Sequence, residues 1–151
     1  MRFCVMLLVA LSAAACVTPS TGPQASGSAL LDTYLASAGD PITSFRVDRG
    51  FNRWTGLGPR HLAVWTGSNE AYLLELGASC PDLENAVRIS LTGENQRVEA
   101  GFDGVIVQSA VTTIAPSRCT IARIRPLDVR ALDARRSERT QIDAIGREAL
   151  N

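Results

Sequence analysis

The sequence predicts a single α+β domain in which one N-terminal helix packs on a mainly antiparallel sheet of about six short strands. Apolar residues first recur at helical spacing, and further along the chain they recur at every second position. The stretches between the later segments are short and rich in turn-forming residues. Parallel strands need crossovers of about a dozen residues or more, so a doubly wound fold is not expected.

The helix is predicted over residues 28–39. Leu31, Tyr34 and Leu35 share one face at spacings of three and four residues. Ser28 is the expected N-cap, because its hydroxyl can accept a hydrogen bond from the first turn. A Gly-Asp-Pro sequence then ends the helix.

Short segments with the composition of strands follow, over residues 44–47, 61–66, 71–76, 87–92, 97–98, 104–108 and 119–125. The sequence Gly-Ser-Asn-Glu between the second and third of them predicts a hairpin. In residues 87–92, the side chains of Val87, Ile89 and Leu91 are expected to share one face of the sheet. Residues 49–60 are predicted as a loop, and residues 80–86 as one helical turn.

The globular domain is expected over residues 28–126, and residues 127–151 are predicted as a C-terminal extension that is partly helical or disordered. Within the extension Thr140 begins a capping-box pattern, and Ile142 and Ile145 would share a face of the helix that follows. The charged stretch before it is interpreted as solvated.

Residues 1–15 have the pattern of a secretory signal peptide, with Arg2 before an apolar run too short to span a membrane. Cys16 follows directly, and Ser-Ala-Ala-Ala-Cys resembles the bacterial lipobox, whose cysteine sulfur carries a diacylglyceryl group with palmitate-type acyl chains. Ordinary cleavage after the alanines is the alternative, and it would leave Cys16 as a free thiol. Residues 16–27 are predicted as a flexible tether, and Val17 favours sorting to the outer membrane.

Two cysteines, Cys80 and Cys119, remain in the mature domain. In an exported protein such a pair is interpreted as a disulfide. The alternatives are two buried free thiols, or a thiol active site that pairs Cys80 with His61.

The composition argues against several classes of function. The chain has 15 basic and 15 acidic side chains, so no nucleic-acid partner is expected. One histidine and two distant cysteines cannot form a structural zinc site, and no calcium or phosphate-binding loop occurs, so no metal or cofactor is expected. No catalytic residue is assigned, although an enzyme using His61 and Asp103 for acid–base chemistry remains the alternative.

The candidate binding patch is an aromatic and arginine-rich stretch that contains Phe51, Arg53, Trp54, Arg60 and His61. Aromatic and arginine side chains together are typical of interface hot spots. In the alternative interpretation the tryptophans are core anchors whose edges are covered by arginine side chains.

Several motifs occur in a fixed order: a Leu-Ala-Val-Trp segment, Tyr-Leu-Leu-Glu-Leu with a cysteine four residues on, a Phe-Asp pair, and a final cysteine before alternating isoleucines. Together they resemble the small lipoproteins and secreted proteins of Gram-negative bacteria grouped as domain of unknown function family 6491. The matching residues are Leu62, Val64, Trp65, Tyr72, Leu73, Leu74, Leu76, Cys80, Leu83, Ala86, Ile89, Phe102, Asp103, Cys119, Ile121 and Ile124. The resemblance implies export and a Cys80–Cys119 disulfide, and it implies no activity.

The function expected from these observations is that of a lipid-anchored module on the periplasmic face of the outer membrane. It would be held to the membrane through the lipid on Cys16 and would bind an envelope protein or a small ligand without catalysis.

Overall fold

The computed structural model describes residues 23–48, 50–111 and 115–148, with side chains from residue 27 onward. The described part contains helix α1 at Pro23–Leu35, helix α2 at Val129–Glu148 and a 3-10 helical turn at Pro81–Asn85. The strands are β1 Ser44–Arg46, β2 Arg53–Gly56, β3 His61–Trp65, β4 Ala71–Leu76, β5 Ala86–Leu91, β6 Arg97–Glu99, β7 Gly104–Ser109 and β8 Ser117–Leu127.

The strands form a six-stranded sheet in the order β2-β3-β4-β8-β7-β5 and a separate two-stranded ribbon of β1 and β6. Every pair within them is antiparallel. The α+β class and the antiparallel sheet predicted from the sequence are therefore confirmed. None of the helices in the described part combines the length and apolar character needed to cross a bilayer.

Both faces of the sheet are covered around β3 and β4, which explains why these strands are almost continuously apolar. In β3, Leu62 and Val64 face one core cluster, whereas Ala63 and Trp65 face the other. The β1–β6 ribbon packs on the first face, where the Phe45 ring stacks on the half-buried ring of Tyr72 in β4 at a centroid distance of 4.2 Å.

The helices cover the second face. Tyr34 of α1 meets Trp65 edge-on, with ring centroids 6.2 Å apart. Helix α2 contributes Val129 and Leu132 to the same cluster, and the Asp128 carboxylate caps its first turn by accepting a hydrogen bond from the Ala131 amide at 3.0 Å.

Strand β8 joins the two halves of the sheet. Its first residues pair with β7, with Gly104 opposite Thr120, and its later residues pair with β4, with Ala71 opposite Leu127. The last strand along the chain is thus a central strand of the sheet.

The boundaries of the helices differ from the sequence prediction. Helix α1 begins at Pro23 and ends at Leu35, so Ser28 lies inside the helix and is not its N-cap. The helix therefore includes five residues that were predicted as tether. Helix α2 replaces the predicted short helix from Thr140 with a single 20-residue helix, on which Ile142 is exposed.

Two features of the strands also differ. Strand β2 lies within residues 49–60, which were predicted as a loop, and it is short and forms one edge of the sheet. Val87 is 63% exposed, although the alternating pattern predicted it on the same face as buried Ile89. A β-bulge between Ala86 and Arg88 shifts the register there and turns the Val87 side chain outward.

The predicted disulfide is present and joins Cys80 to Cys119 across a sequence separation of 39 residues. This excludes the free-thiol and thiol-active-site alternatives for the described state. The predicted signal peptide and Cys16 lie outside the described residues.

Candidate functional site

A cavity of about 510 Å³ lies between the N-terminal half of α1 and the turn that joins β2 to β3. Its volume is within the range of about 300–1,000 Å³ that small-molecule sites occupy. The cavity is lined by Gly27, Ser28, Leu31, Leu57, Gly58, Pro59, Arg60, His61 and Glu84. The wall is mainly apolar, and we call this cavity the helix–turn pocket.

The β2–β3 turn that forms one wall is held by backbone hydrogen bonds on both sides. The Leu57 amide donates to the His61 carbonyl at 2.9 Å, and the Cys80 amide donates to the Pro59 carbonyl at 2.7 Å. Gly58 adopts a positive φ of 88°, a conformation that side chains other than hydrogen rarely tolerate. The disulfide at Cys80 therefore adjoins this wall.

Three ionisable side chains line the pocket: Arg60, His61 and Glu84. Arg60 is exposed and forms no ion pair with a residue that the structure describes; its guanidinium lies 3.5 Å from the Leu76 carbonyl oxygen. A guanidinium with free donors is well suited to a carboxylate or a phosphate.

Burial lowers the pKa of His61 below its ordinary value of 6.5. The positive charge of Arg60 acts in the same direction, whereas the carboxylate of Glu75 opposes it by favouring the protonated imidazole. At neutral pH the His61 side chain is therefore uncharged, and Arg60 is the cation of the pocket.

The lowered pKa of His61 leads to a prediction about the stability of the protein. The folded protein disfavours protonated His61, so the neutral side chain adds to the free energy of unfolding above pH 6.5. This contribution decreases as the pH falls from 6.5 towards the pKa of His61 in the folded protein. Urea denaturation across this interval should show that the free energy of unfolding decreases less in His61→Gln than in the unsubstituted protein. Carboxyl groups titrate mainly below about pH 5 and contribute equally to both proteins. If the free energy of unfolding depends on pH in the same way in both proteins, the lowered pKa of His61 is contradicted.

The residues of the predicted binding patch do not all lie together. Arg60 and His61 line the helix–turn pocket, but Phe51 and Trp54 are half-buried and pack against the first core cluster. The Arg53 guanidinium lies 4.1 Å from the centroid of the buried Trp65 ring, an arrangement that gives a cation–π contact.

A second, polar depression of about 620 Å³ contains Asp103. The Asp103 carboxylate accepts hydrogen bonds from the Thr92 hydroxyl at 3.0 Å and from the Glu99 amide at 2.8 Å, which fixes the turn before β7. His61 is not among the residues that line this depression. These two cavities therefore do not bring His61 and Asp103 together, as the enzyme alternative would need.

Metal-ligating side chains are not clustered in the part of the chain that the structure describes: no group of three or more His, Cys, Asp or Glu side chains could hold an ion.

Sequence reasoning missed the apolar wall of the helix–turn pocket. Gly27 was assigned to the tether, and Leu57 and Pro59 were assigned to a loop. One sequence feature could have indicated the wall: Leu57 is an apolar residue within a Gly-Leu-Gly-Pro turn, and it is almost fully buried.

Comparison with known proteins gives one match. The model of a family of unknown function, DUF6491, matches residues 1–143, which confirms the resemblance noted from the motifs. No curated protein and no solved structure matches the chain.

Proposed function

Since the chain belongs to the DUF6491 family, whose function is unknown, we propose from its own residues that it is a lipid-anchored periplasmic binding module without catalysis, located at the outer membrane. The observation that carries this proposal is the helix–turn pocket. It combines an apolar wall with a few polar groups at its margin, which is the usual composition of a small-molecule site. Two residues of the predicted binding patch, Arg60 and His61, line it.

The polar groups of the pocket favour binding over catalysis. A general base needs a neighbouring group that orients it. The imidazole of His61 forms no side-chain hydrogen bond with a residue that the structure describes, so no such group orients it. The side chains of Arg60 and Glu84 can hold and orient a ligand, and Asp103, the partner of His61 in the enzyme alternative, lines a different depression.

The predicted anchor and the pocket are close along the chain. Cys16 precedes Pro23, the first residue of α1, by seven residues. Seven residues span at most about 25 Å when fully extended, at about 3.6 Å per residue. A lipid on Cys16 would therefore keep α1, and the pocket beside it, near the surface of the bilayer.

The anchor is tested by replacing the cysteine that would carry the lipid. In cells of a bacterium that processes the signal, we expect the native protein in the membrane pellet and Cys16→Ser in the soluble periplasmic fraction. Two or more acyl chains give stable anchoring, so the change in distribution should be nearly complete. Cys4→Ser, in the predicted signal peptide, is the matched control and should leave the protein in the pellet. A Cys16→Ser protein that stays in the pellet would refute the anchor.

A further inference from the structure

We infer that the helix–turn pocket binds the alkyl chain of a single-chain anionic amphiphile, such as a fatty acid, with the acidic group directed towards Arg60. This inference rests on the proposed function, because it names the ligand of the proposed binding site. The lipid predicted on Cys16 carries no acidic group, so we assign the pocket to a free amphiphile, and the last experiment below distinguishes the two.

The shape and lining of the pocket suit an alkyl chain. Leu31, Leu57 and Pro59 provide apolar surface without hydrogen-bonding side chains, and two glycines leave space between them. Apart from the backbone of α1 itself, a Cβ atom placed on Gly27 would meet no atom within 4 Å, so the space beside the helix is open at this position.

The charges of the pocket favour an acidic head group. Arg60 forms no ion pair within the described part of the chain, and its guanidinium contacts one carbonyl oxygen at 3.5 Å. His61, next to it, is kept neutral by burial, so it does not compete for the anion; the Glu75 carboxylate opposes this lowering of its pKa and the Arg60 charge adds to it. Glu75 is itself paired with the Arg123 guanidinium at 2.6 Å. Glu84 is an exposed residue of the 3-10 turn, on a different element from Arg60. A carboxylate on the Arg60 side of the pocket would therefore have a cationic partner.

The position of the pocket relative to the predicted anchor supports the same ligand class. Gly27 is 11 residues from Cys16, so the pocket would lie close to membrane lipids if the anchor is present. Acyl chains are the apolar molecules available at that surface.

The first experiment measures affinity as a function of chain length. Full-length Cys16→Ser protein, exported and processed without lipid, is titrated calorimetrically with octanoate, decanoate and dodecanoate below their micelle concentrations. Each added methylene group that enters the pocket should tighten binding by about fourfold. Affinity that does not depend on chain length, or no binding of dodecanoate, would overturn the inference. The fractionation result for Cys16 would be unaffected by that failure, so the two proposals can fail separately.

The second experiment fills the pocket. Gly27→Leu places a side chain in the open space beside α1 and should weaken dodecanoate binding by more than about tenfold, as expected when the methylenes it displaces leave the pocket. Gly146→Leu is the matched control: it is also a helical glycine whose added Cβ would meet nothing within 4 Å, but it lies in α2, away from the pocket. Equal binding by the two variants would place the ligand elsewhere and overturn the inference.

The third experiment tests the head group. Arg60→Gln should weaken dodecanoate binding by about two- to fivefold, the effect of an exposed ion pair, and should leave binding of dodecanol unchanged. Arg88→Gln, at an exposed position on β5, is the control and should alter neither. Equal losses for the acid and the alcohol would overturn the assignment of the carboxylate to Arg60.

The lipidated native protein in detergent identifies the source of the alkyl chain. If the native protein binds dodecanoate as Cys16→Ser does, the ligand is a free amphiphile. If binding is lost in the native protein and recovered in Cys16→Ser, the chain on Cys16 itself occupies the pocket. The first outcome supports the inference; the second outcome, like absence of binding in both proteins, overturns it.

Discussion

Replacing Cys80 and Cys119 together by alanine should lower the free energy of unfolding by about 4 kcal/mol. The two residues are separated by 39 positions, and a loop of that length loses a large part of its conformational freedom in the unfolded chain when it is closed. Without the cross-link the unfolded state regains this entropy, and the folded state is destabilised relative to it.

The position of the disulfide in the fold makes the effect structural as well as entropic. Cys80 is 1% exposed and precedes the 3-10 turn, whereas Cys119 lies on β8 opposite Val105 of β7. The bridge therefore fixes the segment after β4 to the central strand of the sheet. The Cys80 amide also donates to the Pro59 carbonyl, so the wall of the helix–turn pocket depends on the same segment.

Urea denaturation with and without a reducing agent measures the effect, in the Cys16→Ser background to avoid the predicted lipid. Reduction should lower the stability of the protein with both cysteines to that of the double alanine variant, and it should not change the double variant. A loss below about 1 kcal/mol, well under the ~2–4 kcal/mol that is typical of a disulfide, would contradict the entropic argument.

Leu132→Ala should lower the free energy of unfolding by about 2–5 kcal/mol, the range for truncating a buried leucine. Leu132 is 0% exposed and, with Val129, it is one of two residues by which α2 enters the second core cluster. The other residues of α2 are exposed or half-buried, so a cavity at this position removes a large part of the buried apolar contact that holds the helix to the sheet.

Ile142→Ala is the control, because Ile142 lies on the same helix and is 68% exposed. Substitution of such a residue should change stability by no more than about 0.5 kcal/mol. If Leu132→Ala and Ile142→Ala have equal effects, α2 is not part of the cooperative unit. The expected difference would show that the start of α2 belongs to the domain, even though the sequence predicted an extension from residue 127.

The strands that could be predicted best are those whose residues are buried on both sides or paired through a short turn. Strands β3 and β4 were predicted to within one residue, because two nearly continuous apolar segments flank a turn-forming tetrapeptide. The Cys80–Cys119 disulfide was also predicted correctly, because only these two cysteines lie outside the predicted signal peptide and lipid site, which leaves one possible pairing.

Other elements depend on contacts that the local sequence does not contain. Strand β2 exists because its backbone pairs with β3, with Trp54 opposite Val64, although the surrounding residues are typical of a loop. The outward position of Val87 results from a bulge, which is set by the pairing of β5 with β7. Helix α2 has no broad apolar face, and its start was recognisable mainly from Asp128, an N-cap that we did not assign from the sequence.

The helix–turn pocket was predictable only in part, because it too depends on contacts between distant segments. Arg60 and His61 were identified because arginine and histidine near aromatic residues are conspicuous in the sequence. Leu31 was identified as a residue of the apolar face of a helix, but nothing in the sequence places that face against Leu57 and Pro59. A cavity between distant segments requires knowledge of how they pack.

The position of β8 has a consequence for how the chain folds. Neither the β3–β4 hairpin nor the β5–β7 pair can be joined to the other until β8, the last strand to be synthesised, is available up to Leu127. Closing such long loops costs entropy before the contacts are gained, and domains dominated by distant pairings fold in milliseconds to seconds. A chain that emerges N-terminus first therefore cannot complete the six-stranded sheet until Leu127 has emerged, so the joining of its two halves is a late step of folding.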